Sequence, residues 1–185
     1  VSVANVTVLT PGIYGTTSQN KLPNYGNGDL VILHQASYNS NDGIYYLSSS
    51  GFYAQGASVI MYSTDSGGIM LYNAGTGASD KINITGNANG VVDISGRTGG
   101  TYQGMILFQS RAATEEVSIT GNGSFNMFGT VYAANGTLNL TGNGGSQTIG
   151  SALIAKNISV SGGGQVNIAL SSGVVAPQRI YRLVQ

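Results

Sequence analysis

The chain has 185 residues, including 29 Gly, 21 Ser, 17 Asn and 15 Thr, against 7 Lys plus Arg, 7 Asp plus Glu, 3 Pro and no Cys or Trp. Seven cations over this length cannot form the basic footprint of a nucleic-acid binder, and the missing Cys removes disulfide and zinc–cysteine scaffolds. Collagen is excluded by the Gly spacing and scarce Pro, a membrane-spanning helix by the lack of any 18-residue apolar run, and plain disorder by a 41% hydrophobic content in short alternating runs.

Residues 1–75 carry strand-like runs around Val6, Val8, Ile13 and Val31-Ile32-Leu33, with Asn-, Gly- and Ser-rich loops at 15–29 and 35–43. The opening at Val1 lacks the basic and apolar regions of a signal peptide, so a processed or excised form is expected. The lone His34 follows an apolar strand and is expected to be structural. From Gly43 the pattern becomes regular: Gly43-Ile44-Tyr45-Tyr46-Leu47, then Ala57-Ser58-Val59-Ile60-Met61-Tyr62, then Gly68-Ile69-Met70-Leu71-Tyr72. Eight of the eleven Tyr lie at or before Tyr72. This stretch is expected to hold irregular turns and capping loops, because the end of a repeat array must cover an open edge. Tyr25, Tyr38, Tyr45, Tyr46 and Tyr53 are the candidates for a sugar-stacking or partner surface.

Residues 76–175 repeat a six-residue phrase of apolar, polar, apolar, Ser/Thr, Gly, Asn. It occurs at Ile82–Asn87, Val117–Asn122 and Leu138–Asn143, as Ile158–Gly163 with a final Gly, and as a partial copy at 92–96. Gly121, Gly142 and Gly162 follow one another at nearly equal intervals. Two further phrases keep step, one at Gly104, Gly129 and Gly150, the other at Gly123, Gly145 and Gly164. Alternation puts one side of each short segment inward, and Gly or Asn turns the chain between segments. Three segments and three corners per period describe a coil that buries its inner side only by stacking on its neighbours. The expected fold is all-β: a single-stranded right-handed parallel β-helix with about 20–25 residues per coil. Gly86, Asn87, Gly121, Asn122, Gly142, Asn143 and Gly162 are expected to line up as a structural corner ladder. Asn83/Thr85, Ser118/Thr120, Asn139/Thr141 and Ser159/Ser161 would form an outward polar row.

Residues 176–185 end the chain with Ile180, Tyr181 and Leu183, which are expected to cap the last coil or pair with another molecule.

Chemistry-bearing patterns are sparse. Asp29, Asp42, Asp65, Asp80 and Asp93 are scattered, and the adjacent Glu115 and Glu116 point to opposite sides of a strand. Asp93 and Arg111 form a candidate ion pair between neighbouring coils. No calcium nonapeptide, phosphate loop or nucleophile elbow occurs, so no catalytic residue, cofactor or metal is expected.

The phrases Gly68-Ile-Met-Leu-Tyr-Asn73, the repeated Ile/Val-Thr-Gly-Asn, Gly99-Gly-Thr-Tyr-Gln-Gly-Met-Ile-Leu-Phe-Gln-Ser-Arg111, Gly129-Thr-Val-Tyr-Ala133, Leu9-Thr-Pro-Gly-Ile-Tyr14 and Arg182-Leu-Val184 resemble the C-terminal region of bacterial tight-adherence (Flp-type) pilus-assembly or minor-pilin-like proteins. The resemblance covers roughly residues 43–185, with 15–42 as an insertion. It implies an extracellular or cell-surface location, with a membrane anchor upstream. The expectation is a non-enzymatic structural or adhesion module, with itself or other surface components as partner and self-association into a filament or surface layer. The alternative is a carbohydrate-binding or polysaccharide-degrading β-helix with glycan partners.

Overall fold

A computed structural model describes residues 5–15, 22, 24–26, 28–33, 43–55, 60–63, 67–86, 91–121, 124–142, 146–149 and 152–168. The described residues are all-β, with no helix among them. In chain order the strands are β1 (Asn5–Leu9), β2 (Gly12–Tyr14), β3 (Asp29–Leu33), β4 (Ile44–Leu47), β5 (Phe52–Ala54), β6 (Ile60–Ser63), β7 (Met70–Asn73), β8 (Ile82–Gly86), β9 (Val91–Ser95), β10 (Met105–Gln109), β11 (Val117–Gly121), β12 (Ser124–Phe128), β13 (Thr130–Gly142), β14 (Ser146–Ile149), β15 (Ala152–Ser161) and β16 (Gln165–Asn167).

Strands that are neighbours in sequence are not paired. One sheet runs β1-β3-β6-β9-β12-β14-β16. The other carries two rows: β2-β4-β7-β10 reaches the first half of β13, and β5-β8-β11 reaches its second half. The long β13 and β15 each span both rows and pair with each other. These pairings are all parallel, and the sheets curl as a half-barrel.

Alternation explains which side is dry. In β11, Val117, Ile119 and Gly121 point inward, while Ser118 and Thr120 point out. Register then stacks like on like: Ile84, Ile119 and Leu140 follow one another, as do Ile82, Val117 and Leu138. Tyr45, Leu71, Leu107 and Val131 form a second interior row, all fully buried or nearly so. Phe125 and Met127 of β12 continue Val92 and Ile94 of β9 in the first sheet. Together these rows make one continuous core. Burying such side chains contributes about 1.5–3 kcal/mol each.

Several expectations are corrected. The coil length of about 20–25 residues expected from the repeat holds at two of six steps and is missed at the others. Residue 5 faces 29, 30 faces 60, 60 faces 91, 91 faces 124, 126 faces 148 and 146 faces 165, so the steps are 24, 30, 31, 33, 22 and 19. Corner insertions account for part of the difference, and within the second sheet the ladder itself shifts register at Met105/Leu107 and between Ala133 and Thr137. At one corner, residues 97–104 leave and return through Gly104 N–H to Arg97 O, 2.7 Å, and Arg97 N–H to Met105 O, 3.1 Å. The partial copy at 92–96 belongs to the other sheet, where Asp93 faces Asn126 and Ile94 faces Met127. Alternation is common to every row, so a short copy does not reveal which row it joins.

The glycines of the phrase also differ from expectation. Gly86, Gly121 and Gly142 do lie in one register column. They are the last residues of extended strands rather than left-handed corners, and of the four corner glycines Gly162 alone is recorded at positive φ, 97°. At Gly86 the reason for glycine is packing: a Cβ would sit 3.1 Å from the Phe125 ring. Asn87, Asn122 and Asn143 lie outside the described residues, as do His34, Tyr38, Ile180, Tyr181 and Leu183.

Candidate functional surface

The outer side of the second sheet carries an aromatic row. Tyr46, Tyr72, Phe108 and Tyr132 occupy equivalent positions in β4, β7, β10 and β13. Their ring centroids are 4.9, 5.1 and 4.8 Å apart, with interplanar angles of 20°, 25° and 9°. This spacing is the inter-strand distance itself, so the parallel ladder dictates the stack. Isoleucines extend the row, Ile13 beside Tyr46 and Ile154 beside Tyr132. Arg111 donates Nε–H to the Tyr132 hydroxyl, 2.9 Å, and Asn135 Nδ2 donates to the Arg111 carbonyl, 2.6 Å. The expected partner Asp93 stands on the other sheet, so the anticipated Asp93–Arg111 pair is replaced by this bond to Tyr132.

The geometry of that row decides what it can do. Sugar recognition by stacking uses the face of a ring. Here each inner ring has both faces covered by its neighbours, and only edges point to solvent. The row therefore acts as a brace between successive strands, each stacked pair adding about 0.5–1.5 kcal/mol beyond area burial.

The four candidate tyrosines among the described residues separate accordingly. Tyr46 belongs to the outer row. Tyr45, its neighbour in sequence, necessarily points the other way. It is fully buried, stacks on Tyr14 at 6.1 Å and donates its hydroxyl to Leu9 O at 2.8 Å. Tyr25 is 3% exposed and packs on Phe52 at 6.0 Å. Tyr53 is half-buried, with its hydroxyl donated to Ser79 O at 2.6 Å. The structure thus does not bring these residues onto one surface, and Tyr25 and Tyr45 are core residues.

Tyr25 also borders an open groove of about 460 Å³ with Asn5, Val6, Thr7, Asn24 and Asp29. Both carboxylate oxygens of Asp29 are engaged there, accepting from Asn5 Nδ2 at 2.9 Å and Gly26 N–H at 2.8 Å. The Gly26 bond first, and then Asn5, hold this carboxyl below the usual carboxylate range.

Burial moves the phenols the other way. Tyr14, Tyr25 and Tyr72 all have hydroxyls held above the ordinary tyrosine range, with desolvation as the largest cause. Below about pH 10 the phenols are neutral in both folded and unfolded chains. Above it the unfolded chain ionises first, so stability should fall as pH rises beyond about 10. Urea midpoints at pH 8 and pH 11 should show the decline, and equal midpoints would contradict it.

A polar pair that sequence reasoning missed lies inside. Asn73 and Gln109 are fully buried and stack in consecutive strands, where the alternating pattern puts an interior side chain. Asn73 Nδ2 donates to Asp80 O at 2.8 Å and to Gln109 Oε1 at 3.3 Å, and Asn73 Oδ1 accepts from Gly75 N–H at 3.3 Å. Gln109 Nε2 donates to Glu115 O at 2.8 Å and Ala113 O at 3.3 Å. The pair holds two successive corner loops, 74–81 and 110–116, against the strands. Gln109→Leu should cost about 1–3 kcal/mol, because it leaves buried carbonyls without a donor. A lowered urea midpoint checks this, and a midpoint equal to that of the parent chain would contradict it.

The third outer row is polar. Asn83, Ser118, Asn139 and Ser159 align, as do Thr85, Thr120, Thr141 and Ser161. Thr141 and Ser161 hydroxyls are 3.1 Å apart, and Asn139 Nδ2 donates to Glu116 Oε1 at 2.7 Å. Among the described residues, no three His, Cys, Asp or Glu side chains gather as a metal site, and no helix is long and apolar enough to cross a membrane. No family model, no curated protein and no solved structure matches the chain.

Proposed function

We propose that this chain is a non-enzymatic structural or adhesion module of the bacterial cell surface. Its architecture in this reading is a single-stranded, right-handed parallel β-helix. The observation that carries the proposal is the parallel pairing of three strand rows over successive turns, with local register shifts at Met105/Leu107 and at Ala133/Thr137. Parallel pairs joined by a crossover are right-handed in about 98% of cases. Strength in this design comes from the whole stack: the apolar interior, the aromatic brace Tyr46–Tyr72–Phe108–Tyr132 and the amide pair Asn73–Gln109. The few polar contacts around Asp29 and Arg111 tie loops and strands together. The outward side chains of the third row are mostly uncharged, which suits close contact between neutral surfaces.

The test is cellular. Antibody to the purified chain should label intact cells of the source bacterium, and deletion of the coding segment should weaken adhesion or cell–cell cohesion. Labelling only after lysis, or unchanged adhesion in the deletion strain, would overturn the proposal.

A further inference from the structure

Apolar exposure among the described residues gathers at the first and last strands. Among the described residues, the large hydrophobic side chains that are 47–70% exposed are Val6, Val8, Ile13, Ile154, Ile158, Val160 and Ile168. All lie on, or next to, the first strands β1 and β2 or the last strands β15 and β16. On the strands between, Tyr46 is the most exposed large hydrophobic among the described side chains, at 37%.

Register explains each end. Ile158 and Val160 occupy the inward positions that Leu138 and Leu140 hold one turn earlier, where those side chains are fully buried. They are core residues with no described turn laid over them. Ile13 and Ile154 are the two ends of the outward row braced by the four aromatic rings. Sheet edges also present backbone N–H and C=O groups that a further strand can pair.

We infer that a second copy of this chain docks head to tail, the β1–β2 end of one copy laid in parallel on the β15–β16 end of the next. This rests on the stacked-turn architecture proposed above and names its partner. The two ends fit for a physical reason. All strands run parallel, so the last rung of one copy presents the edge that the first rung of another extends with unchanged polarity. Stacking places Ile154 of one copy next to Ile13 of the other, continuing the outer row, and lays the start of the other copy's β5 row, Tyr25 beside Ala54, over Ile158 and Val160, closing them away from water. The contact is heterologous, so it propagates into chains rather than closing as a symmetric dimer.

Sedimentation of the full chain from micromolar to millimolar concentration tests this. The mass should rise with concentration from that of one 18.9 kDa chain to multiples of it. Val160→Lys and Ile13→Lys should each remain at one chain, and an equimolar mixture of the two should stop at two chains, since each retains one intact end. Ser159→Lys, a neighbouring outward position, should assemble like the parent, and circular dichroism checks that all variants fold. A parent that stays monomeric throughout would overturn the pairing. Assembly unaffected by both end variants would do the same. A monomeric chain that still labels intact cells would overturn this inference alone and leave the surface role standing.

Discussion

Ile119→Ala should lower the melting temperature by on the order of 10 °C. Ile119 is fully buried, with Ile84 on one side and Leu140 on the other in the same inward row. Its truncation removes contacts to both neighbouring turns at once. Loss of a buried Ile to Ala costs about 2–5 kcal/mol, and one kcal/mol moves the transition of a chain this size by roughly 2–4 °C. Thr120→Ala, the next residue but on the outer side, should stay within about 0.5 kcal/mol. Thermal unfolding followed by circular dichroism compares the two. Equal melting temperatures would refute the assignment of inside and outside on which the fold rests.

Gly68→Ala should be at least as damaging, through the backbone rather than the core. Gly68 has φ 70° at the turn leading into β7. A methyl group there would fall on the Gly96 carbonyl of the next turn. That next turn cannot move away, because Ile69 N–H bonds Ser95 O at 2.9 Å and Gly96 N–H bonds Phe128 O at 2.6 Å. The same contact continues one turn further, where a Cβ on Gly129 would lie 3.2 Å from Gly96 Cα. The left-handed conformation alone costs a non-glycine residue about 1–2 kcal/mol, and the overlap with rigid backbone adds to it, for a total above about 3 kcal/mol. Gly163→Ala is the control, since nothing lies within 4 Å of its Cβ position. A Gly68→Ala chain that melts with the Gly163→Ala chain would show that the three glycines do not pack as described.

The strand rows were legible where a phrase recurs with its full length. Ile82–Gly86, Val117–Gly121 and residues 138–142 stack residue for residue, as their shared pattern implies. The segment at 92–96 misled because alternation without the flanking Asn is the property of every strand here. Coil length was hidden for a related reason: corner insertions such as 97–104 obey no pattern, since only their two ends are held by the ladder. The aromatic row had a signal that went unread. Tyr46, Tyr72, Phe108 and Tyr132 each fall three or four residues after Gly43, Gly68, Gly104 or Gly129. The offset varies partly because β10 carries an extra residue, Ile106, between Met105, which faces Thr130, and Leu107, which faces Val131. Counting from the glycine therefore loses step, whereas counting from the neighbouring interior residue keeps it. Tyr45 and Tyr46 could not both face solvent on one strand, and strand parity alone was enough to divide them. Asn73 and Gln109 follow the aromatic directly and share its register, but two polar side chains in a dry position are visible only once the corner carbonyls they serve are in place.

Because residue 146 pairs with 165 and residue 91 with 124, every pair of bonded strands is separated by a long stretch of chain. None of these pairings can zip up through a tight reverse turn, which is the microsecond shortcut open to antiparallel sheets. Each ribbon must wait for a whole circuit to close before its first ladder bond forms, and loop-closure entropy opposes every circuit. The consequence is a slow ascent: a chain that acquires its shape one storey at a time.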